Sequence, residues 1–113
     1  MALKRCLLEM GMGIDLHGRN YTTAAQRAVT NAIWHNSLYF VRSFGSGTQS
    51  MRVDVTIAVP EPDAVNKEAV LSVLPHGQGH IKVIKGGMEI PSEDGSDATI
   101  IANAAVLVSL DVP

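Results

Sequence analysis

The feature that most constrains the fold of this chain is a long alternating stretch at 98–112. One set of alternate positions in it is wholly apolar. The members of that set are Ile100, Ala102, Ala104, Val106, Val108, Leu110 and Val112. A period of two is the pattern of a β-strand that buries one face. A strand of this length is predicted to be central in its sheet or to run into a neighbouring subunit.

Hydrophobic periodicity and turn residues predict five more elements. Three strands are predicted at Leu3–Met10, at Met51–Val59 and around Ile81 and Val83. Two helices are predicted at Tyr21–Ser37, capped by Asn20, Thr22 or Thr23, and at Ala64–Leu74, capped by Asp63. Gly86-Gly87 and the run Pro91–Ser96 mark a polar connection between the last two predicted strands. The order βαβαββ predicts an α+β fold, a single domain over 1–113 with a mixed four-stranded sheet and both helices packed on one face.

Composition excludes several classes of function. The chain has 113 residues, of which 46% are hydrophobic and 18% charged, and this is typical of a globular protein. Its net charge of −2 argues against nucleic acid or an anionic membrane as a partner. No segment approaches the roughly 20 apolar residues that span a bilayer. The single cysteine, Cys6, fits a reducing compartment, so we expect a cytoplasmic protein.

The segment 11–18, Gly-Met-Gly-Ile-Asp-Leu-His-Gly, places ionisable side chains among glycines. Asp15 and His17 are two residues apart, so in an extended segment they emerge on the same side. A carboxylate beside an imidazole can orient the ring for proton transfer. We therefore predict Asp15 and His17 as catalytic residues. The alternative is structural, with Asp15 capping a turn and His17 filling a surface pocket.

Ligand-binding residues are predicted around this pair. Glycines permit close approach of the backbone to a ligand, which points to Gly11, Gly13 and Gly18. Guanidinium groups bind carboxylates well, which points to Arg19 and Arg42, although each alone also fits a solvated surface position.

Two other interpretations of the motif fail on spacing. A dinucleotide loop would need a third glycine where Leu16 stands, and the Gly-Lys-Ser/Thr of a phosphate-binding loop is absent. A metal could use Asp15 and His17 with His76 and His80, but the glycines between those two histidines disfavour a helical ligand pair. We predict neither a bound metal nor a cofactor.

The motif G-x-G-x-D-x-H-G, with the alanine-rich helix and Asn36-Ser37-Leu38 that follow, resembles a small family of conserved hypothetical proteins from bacteria and plants. The element order also resembles the fold of the monofunctional chorismate mutases and RidA-type imine deaminases. That second resemblance implies a homo-oligomer, with a trimer favoured, and ligand clefts between subunits.

The function expected from these observations is acid–base catalysis on a small polar or anionic metabolite. His17 would exchange the proton and Asp15 would orient it, in a hydrolysis, deamination or isomerisation. The alternative is a metabolite-binding or regulatory module without chemistry of its own.

Overall fold

The long alternating segment forms strand β5, Ala98–Val112, which lies inside a mixed sheet as predicted. A computed structural model describes residues 2–34, 51–74 and 78–112. Within these residues β5 has a neighbouring strand on both sides. The members of the predicted apolar set from Ile100 to Leu110 are buried, with Ile100 and Ala102 fully buried.

Three strands complete the main path of the sheet, in the order β1-β5-β2-β3. Strand β1, Ala2–Asp15, and strand β2, Met51–Val59, both pair antiparallel with β5. Strand β3, Gln78–Lys85, pairs parallel with β2. The class is therefore α+β with a mixed sheet, as expected.

The prediction of four strands is wrong, because the described residues form five. Strand β4, Met88–Pro91, lies in the segment that was predicted as a polar connection, and it pairs antiparallel with the start of β5. The chain can turn sharply before it because Gly87 has φ +64, a conformation that glycine adopts without strain. All four residues of β4 are exposed, so burial left no periodic signal there.

Helix α1, Tyr21–Trp34, begins where the sequence predicts. The side chain of Asn20 caps it by accepting a hydrogen bond from the backbone N–H of Thr23 at 2.9 Å. Alanines and one valine on its inner face are fully buried against the sheet. The last part of the predicted helix, 35–37, lies outside the described residues.

Helix α2 is Lys67–Leu71, much shorter than the predicted Ala64–Leu74. A separate 3-10 turn, Pro62–Ala64, precedes it. Asn66, not Asp63, caps α2, and its side chain accepts a hydrogen bond from Ala69 N–H at 3.1 Å. In the described part of the chain, neither helix is long and apolar enough to cross a membrane.

Both helices pack on one face of the sheet, as predicted. Helix α1 covers β1 and β5, and α2 contacts α1 and β3. The side chain of Gln26 in α1 donates a hydrogen bond to the carbonyl oxygen of Ala69 at 2.9 Å, which joins the two helices. The other face carries no helix among the described residues, and several large apolar side chains are exposed on it.

Candidate functional site

The glycine motif does not begin as a loop. Strand β1 continues past its predicted end at Met10 and stays paired with β5 as far as Asp15, which is opposite Ile100. Gly11 and Gly13 therefore lie inside a strand.

Gly11 and Gly13 face helix α1 at very short range. A Cβ on Gly13 would lie 2.1 Å from the carbonyl oxygen of Ala24, and one on Gly11 would lie 2.3 Å from that of Ala28. Only glycine lets the helix backbone lie this close to the strand. Packing accounts for both glycines, and the helix fills the space that a ligand would need on that side.

Asp15 is buried beneath the turn that follows β1. One carboxylate oxygen accepts the backbone N–H of Asn20 at 3.0 Å, and the other lies 3.7 Å from a guanidinium nitrogen of Arg27. Arg27 also donates to the carbonyl oxygen of Ile14 at 2.7 Å. These contacts hold the end of β1 to the start of α1, which is the turn-capping role of the structural alternative.

The predicted pairing of Asp15 with His17 is not formed. No ion pair or hydrogen bond joins them within the described residues. The reason is local, because the strand ends at Asp15 and the backbone bends at His17, so the extended backbone that this pairing assumes is absent.

The partner of His17 is Asp97, the residue directly before β5. The Nδ1 atom of His17 lies 3.4 Å from Oδ2 of Asp97. The imidazole is 87% exposed and the carboxylate side chain 33% exposed. Among the described residues, His17 therefore pairs with the carboxylate of Asp97 and not with that of Asp15.

Gly18 joins the two sides of this pair. It adopts φ +89, a left-handed conformation that favours glycine, and its N–H donates to Oδ1 of Asp97 at 2.9 Å. The N–H of Ala98 donates to the same oxygen at 2.8 Å. These two hydrogen bonds, more than His17, lower the pKa of Asp97 below its usual value. Asp97 is therefore a carboxylate at neutral pH.

The hairpin between β4 and β5 fixes Asp97 from the other side. The Ser92 N–H donates to the carbonyl oxygen of Asp97 at 2.9 Å, and the Asp97 N–H donates to the Ser92 hydroxyl at 3.2 Å. Asp94 accepts hydrogen bonds from Ser92 and Ser96 inside the same turn. The carboxylate that faces His17 is thus held by a closed network.

A cleft of about 180 Å³ lies beside the pair. Leu16 and His17 line it from the β1–α1 turn, and Ile90 and Asp97 line it from the hairpin. Its lining combines apolar side chains with an imidazole and a carboxylate. A small ligand with an apolar part and an exchangeable proton would match this lining.

Asp97 is not among the site residues that the sequence predicts. It is 80 residues from His17 along the chain, and its neighbourhood predicted only a turn. One signal was present, since Asp97 directly precedes the strongest strand pattern in the sequence.

The remaining predicted residues contribute differently. Arg19 is exposed at φ +49, and no ion pair is formed by it among the described residues. Arg42 and His76 lie outside the described residues. Within that described part, no group of three or more histidine, cysteine or carboxylate side chains could hold a metal ion.

The comparisons with known proteins identify the family. Residues 5–108 match the family model described as "Conserved hypothetical protein (Lin0512_fam)". The chain belongs to this family. The expected membership in a family of conserved hypothetical proteins is therefore confirmed.

The chain is also similar to a solved structure over nearly its whole length. The chain is similar to an FtsZ-like protein of unknown function from Nostoc punctiforme PCC 73102, with 44% identity and a TM-score of 0.87. The match covers 99% of each chain. A search of curated proteins found no match.

Proposed function

We propose that this protein is a small homo-oligomeric enzyme that performs acid–base chemistry on a small polar or anionic metabolite. The observation that carries the proposal is the His17–Asp97 pair, 3.4 Å apart at the wall of a cleft. Hydrolysis, deamination and isomerisation all need a group that moves one proton, and an imidazole does so near neutral pH.

His17 is the proton-transferring group in this proposal. Asp97 faces Nδ1, so it favours the tautomer with the proton on that nitrogen and leaves Nε2 to exchange a proton with the ligand. Asp97 also stabilises the imidazolium that forms when Nε2 takes up a proton. Because Asp97 is held by Gly18 and Ala98, it orients the ring without having to be reorganised.

Asp15 and Gly18 support the pair, and neither is assigned a proton-transfer step. Asp15 fixes the turn through its contacts with Asn20 and Arg27. The N–H of Gly18 donates to Asp97, so this N–H is not free to bind an anion. Arg19 and Arg42 remain the proposed anion-binding groups, on the strength of their chemistry alone.

The proposal includes the likeness to the chorismate mutase and RidA-type fold, a trimeric assembly and a cytoplasmic location. The element order, which is βαβαββ with β4 added, supports the likeness of fold. The single cysteine, Cys6, supports the cytoplasmic location. The G-x-G-x-D-x-H-G motif is proposed as a mark of the family.

A binding module without chemistry is the second candidate, and the exposure of His17 favours it. A ring that is 87% exposed is still surrounded by water, whereas catalytic imidazoles are usually sequestered when they act. In this version His17 and Asp97 only hydrogen-bond the ligand.

The test is a thermal-shift screen of dicarboxylic acids, cyclic amides and imine-forming amino acids, followed by proton NMR for turnover of each compound that binds. Wild type is compared with His17→Gln and with His80→Gln, which alters an exposed histidine on β3. We expect turnover of at least one compound, lost in His17→Gln and kept in His80→Gln. Stabilisation without turnover would favour the binding module, and equal behaviour of all three proteins would refute a role for His17.

A further inference from the structure

The hydroxyl of Thr99 is a polar group of the cleft that no contact within the described part of the chain uses. Thr99 is the second residue of β5, and its half-buried side chain lines the cleft. Among residues 2–34, 51–74 and 78–112 its hydroxyl forms no hydrogen bond. A hydroxyl can both donate and accept, so Thr99 has its full hydrogen-bonding capacity to offer a ligand.

Strand geometry puts Thr99 on the same side of the chain as Asp97. Ala98, which lies between them, is buried in the core, and successive side chains of an extended chain alternate between its two faces. Thr99 also pairs directly with Ile90 of β4, whose side chain lines the same cleft. Directly paired residues of antiparallel strands point to the same side. Thr99 therefore belongs to the wall that carries the Asp97 carboxylate and the Ile90 side chain.

The other polar side chains of this wall are already engaged. The Ser92 hydroxyl donates to Asp94 at 2.8 Å and accepts the N–H of Asp97 at 3.2 Å. In the Asp97 carboxylate, Oδ1 accepts two backbone N–H groups and Oδ2 faces Nδ1 of His17. Within the described lining, the side-chain groups left to meet a ligand are therefore the Thr99 hydroxyl and Nε2 of His17.

The fixed charge around the cleft is negative, and this limits the ligands that it accepts. Asp97 is a carboxylate at neutral pH, and the turn beside it adds the exposed Glu93 and Asp94. No lysine or arginine is among the described residues that line the cleft. A carboxylate or phosphate placed there would meet like charge with no fixed cation to offset it, which is unfavourable. Any anionic group of the ligand would therefore lie outside the cleft.

The size and the apolar lining of the cleft favour a short ligand. Its volume of about 180 Å³ is below the roughly 300–1,000 Å³ of pockets that hold drug-sized ligands. Leu16, Ile90 and Pro91 offer contacts to a short hydrocarbon part. A hydroxyl that donates and an imidazole nitrogen that exchanges a proton both suit an uncharged carbonyl or amide.

We propose that Thr99 is a ligand-binding residue of the His17–Asp97 cleft and that the group it binds is an uncharged carbonyl or amide. The Thr99 hydroxyl donates to the carbonyl oxygen, and the hydrocarbon part of the ligand contacts Leu16 and Ile90. This inference deepens the proposed function and rests on the cleft being its ligand site, but it requires no turnover.

The test of the ligand class compares butyramide, butyrate and butylammonium, which have similar shapes and differ in charge. Each is titrated into isotope-labelled protein, and binding is followed by the NMR chemical shifts of the backbone amides. We expect butyramide to shift the amide signals of Thr99 and His17 and to bind at least about fivefold more tightly than butyrate. Tighter binding of butyrate or butylammonium, or no binding of butyramide, would overturn the uncharged class.

The test of Thr99 removes its hydroxyl and keeps its shape. Thr99→Val breaks no hydrogen bond among the described residues, and valine favours strands, so the variant should fold. Its affinity for butyramide should fall about fivefold, which corresponds to the loss of one hydrogen bond. Thr99→Ser keeps the hydroxyl and should bind almost as wild type does. Thr56→Val, at a half-buried threonine of β2 that does not line the cleft, is the matched control and should bind as wild type does.

The results for the two variants also separate this inference from the proposed function. Equal affinity of wild type and Thr99→Val for butyramide would overturn the role of Thr99, even if turnover of another compound depends on His17. Weaker binding in Thr99→Val with no turnover of any compound would support Thr99 and favour the binding module over the enzyme.

Discussion

The carboxylate of Asp97 lies 3.4 Å from Nδ1 of His17, although the two residues are 80 positions apart in the chain. The contact joins the turn after β1 to the hairpin before β5. Gly18 strengthens the junction, because its N–H donates to the other oxygen of the same carboxylate. The candidate site is therefore made by the meeting of two turns, neither of which holds a complete pair.

Replacing the carboxylates of Asp97 and Asp15 by amides, one at a time, separates the roles of the two residues. In Asp97→Asn the charge that stabilises the imidazolium is lost, and turnover of the screened substrate should fall by about 10²-fold or more. Asp15→Asn keeps an oxygen for Asn20 N–H and loses only the pairing with Arg27, so turnover should fall less than fivefold while the melting temperature drops slightly. Steady-state kinetics and thermal melts of both variants give the answer. A greater loss of turnover in Asp15→Asn would restore the Asp15–His17 pair as the reacting unit.

The hairpin turn between β4 and β5 should contribute stability that is lost as the pH becomes acidic. Hydrogen bonds from the N–H and hydroxyl of Ser96, and then from Ser92, lower the pKa of Asp94 from 3.8 to about 2. Because the folded-state pKa lies below the unfolded value, this stability is present above pH 3.8 and is lost as the pH falls toward 2. Urea denaturation between pH 5 and 2 should show a smaller loss for Asp94→Asn than for wild type. Glu93→Gln, which removes a charge in the same turn, is the control. It should lose as much stability between pH 5 and 2 as wild type does.

The strands with strong alternation could be predicted from sequence because burial of one face imposes a period of two. This is why β2 was predicted with its observed bounds and β5 with its central position. Strand β4 could not be found in this way. Its four residues are all exposed, so its pairing with β5 leaves no mark on the sequence.

The candidate site was predicted only on one side. His17 stood out because it lies among glycines, but Asp97 is brought to it by tertiary structure. Local spacing favoured Asp15, and that choice assumed an extended backbone through His17, where the chain instead bends. The start of α2 was misplaced for a similar reason, because Asp63 and Asn66 are both acceptable caps and sequence alone does not rank them.

The contact between α1 and β4 should be visible at alkaline pH. The hydroxyl of Tyr21 donates to Oε1 of Glu89 at 2.5 Å, and this hydrogen bond is the largest cause that raises the Tyr21 pKa from 10.0 to about 12. The folded pKa is above the unfolded value, so the contribution to stability is full below pH 10 and is lost as the pH rises to 12.

Spectrophotometric titration at 295 nm measures this shift. The chain has a second tyrosine, Tyr39, whose absorbance also changes with pH. Subtracting the titration curve of Tyr21→Phe from that of wild type cancels the Tyr39 signal and leaves that of Tyr21. Glu89→Gln should return the pKa of Tyr21 toward 10, whereas Glu68→Gln, a change of the same charge on α2, should leave it near 12. An unchanged titration in Glu89→Gln would show that the hydrogen bond is not its cause.

Alanine substitutions at two glycines of the motif should have unequal costs. In Gly13→Ala the new Cβ would meet the backbone of α1 at 2.1 Å, a contact that no side-chain movement relieves. The helix must shift from the sheet, and the free energy of unfolding should fall by roughly 3 kcal/mol. In Gly18→Ala the Cβ has open space, and only the strain of φ +89 is added, about 1–2 kcal/mol. Chemical denaturation monitored by circular dichroism compares the two. Gly13 packs against α1, whereas the N–H of Gly18 holds Asp97. Gly18→Ala should therefore also impair turnover under conditions in which the variant is fully folded. A variant with Gly13→Ala that is as stable as wild type but binds no compound would instead return Gly13 to the ligand site.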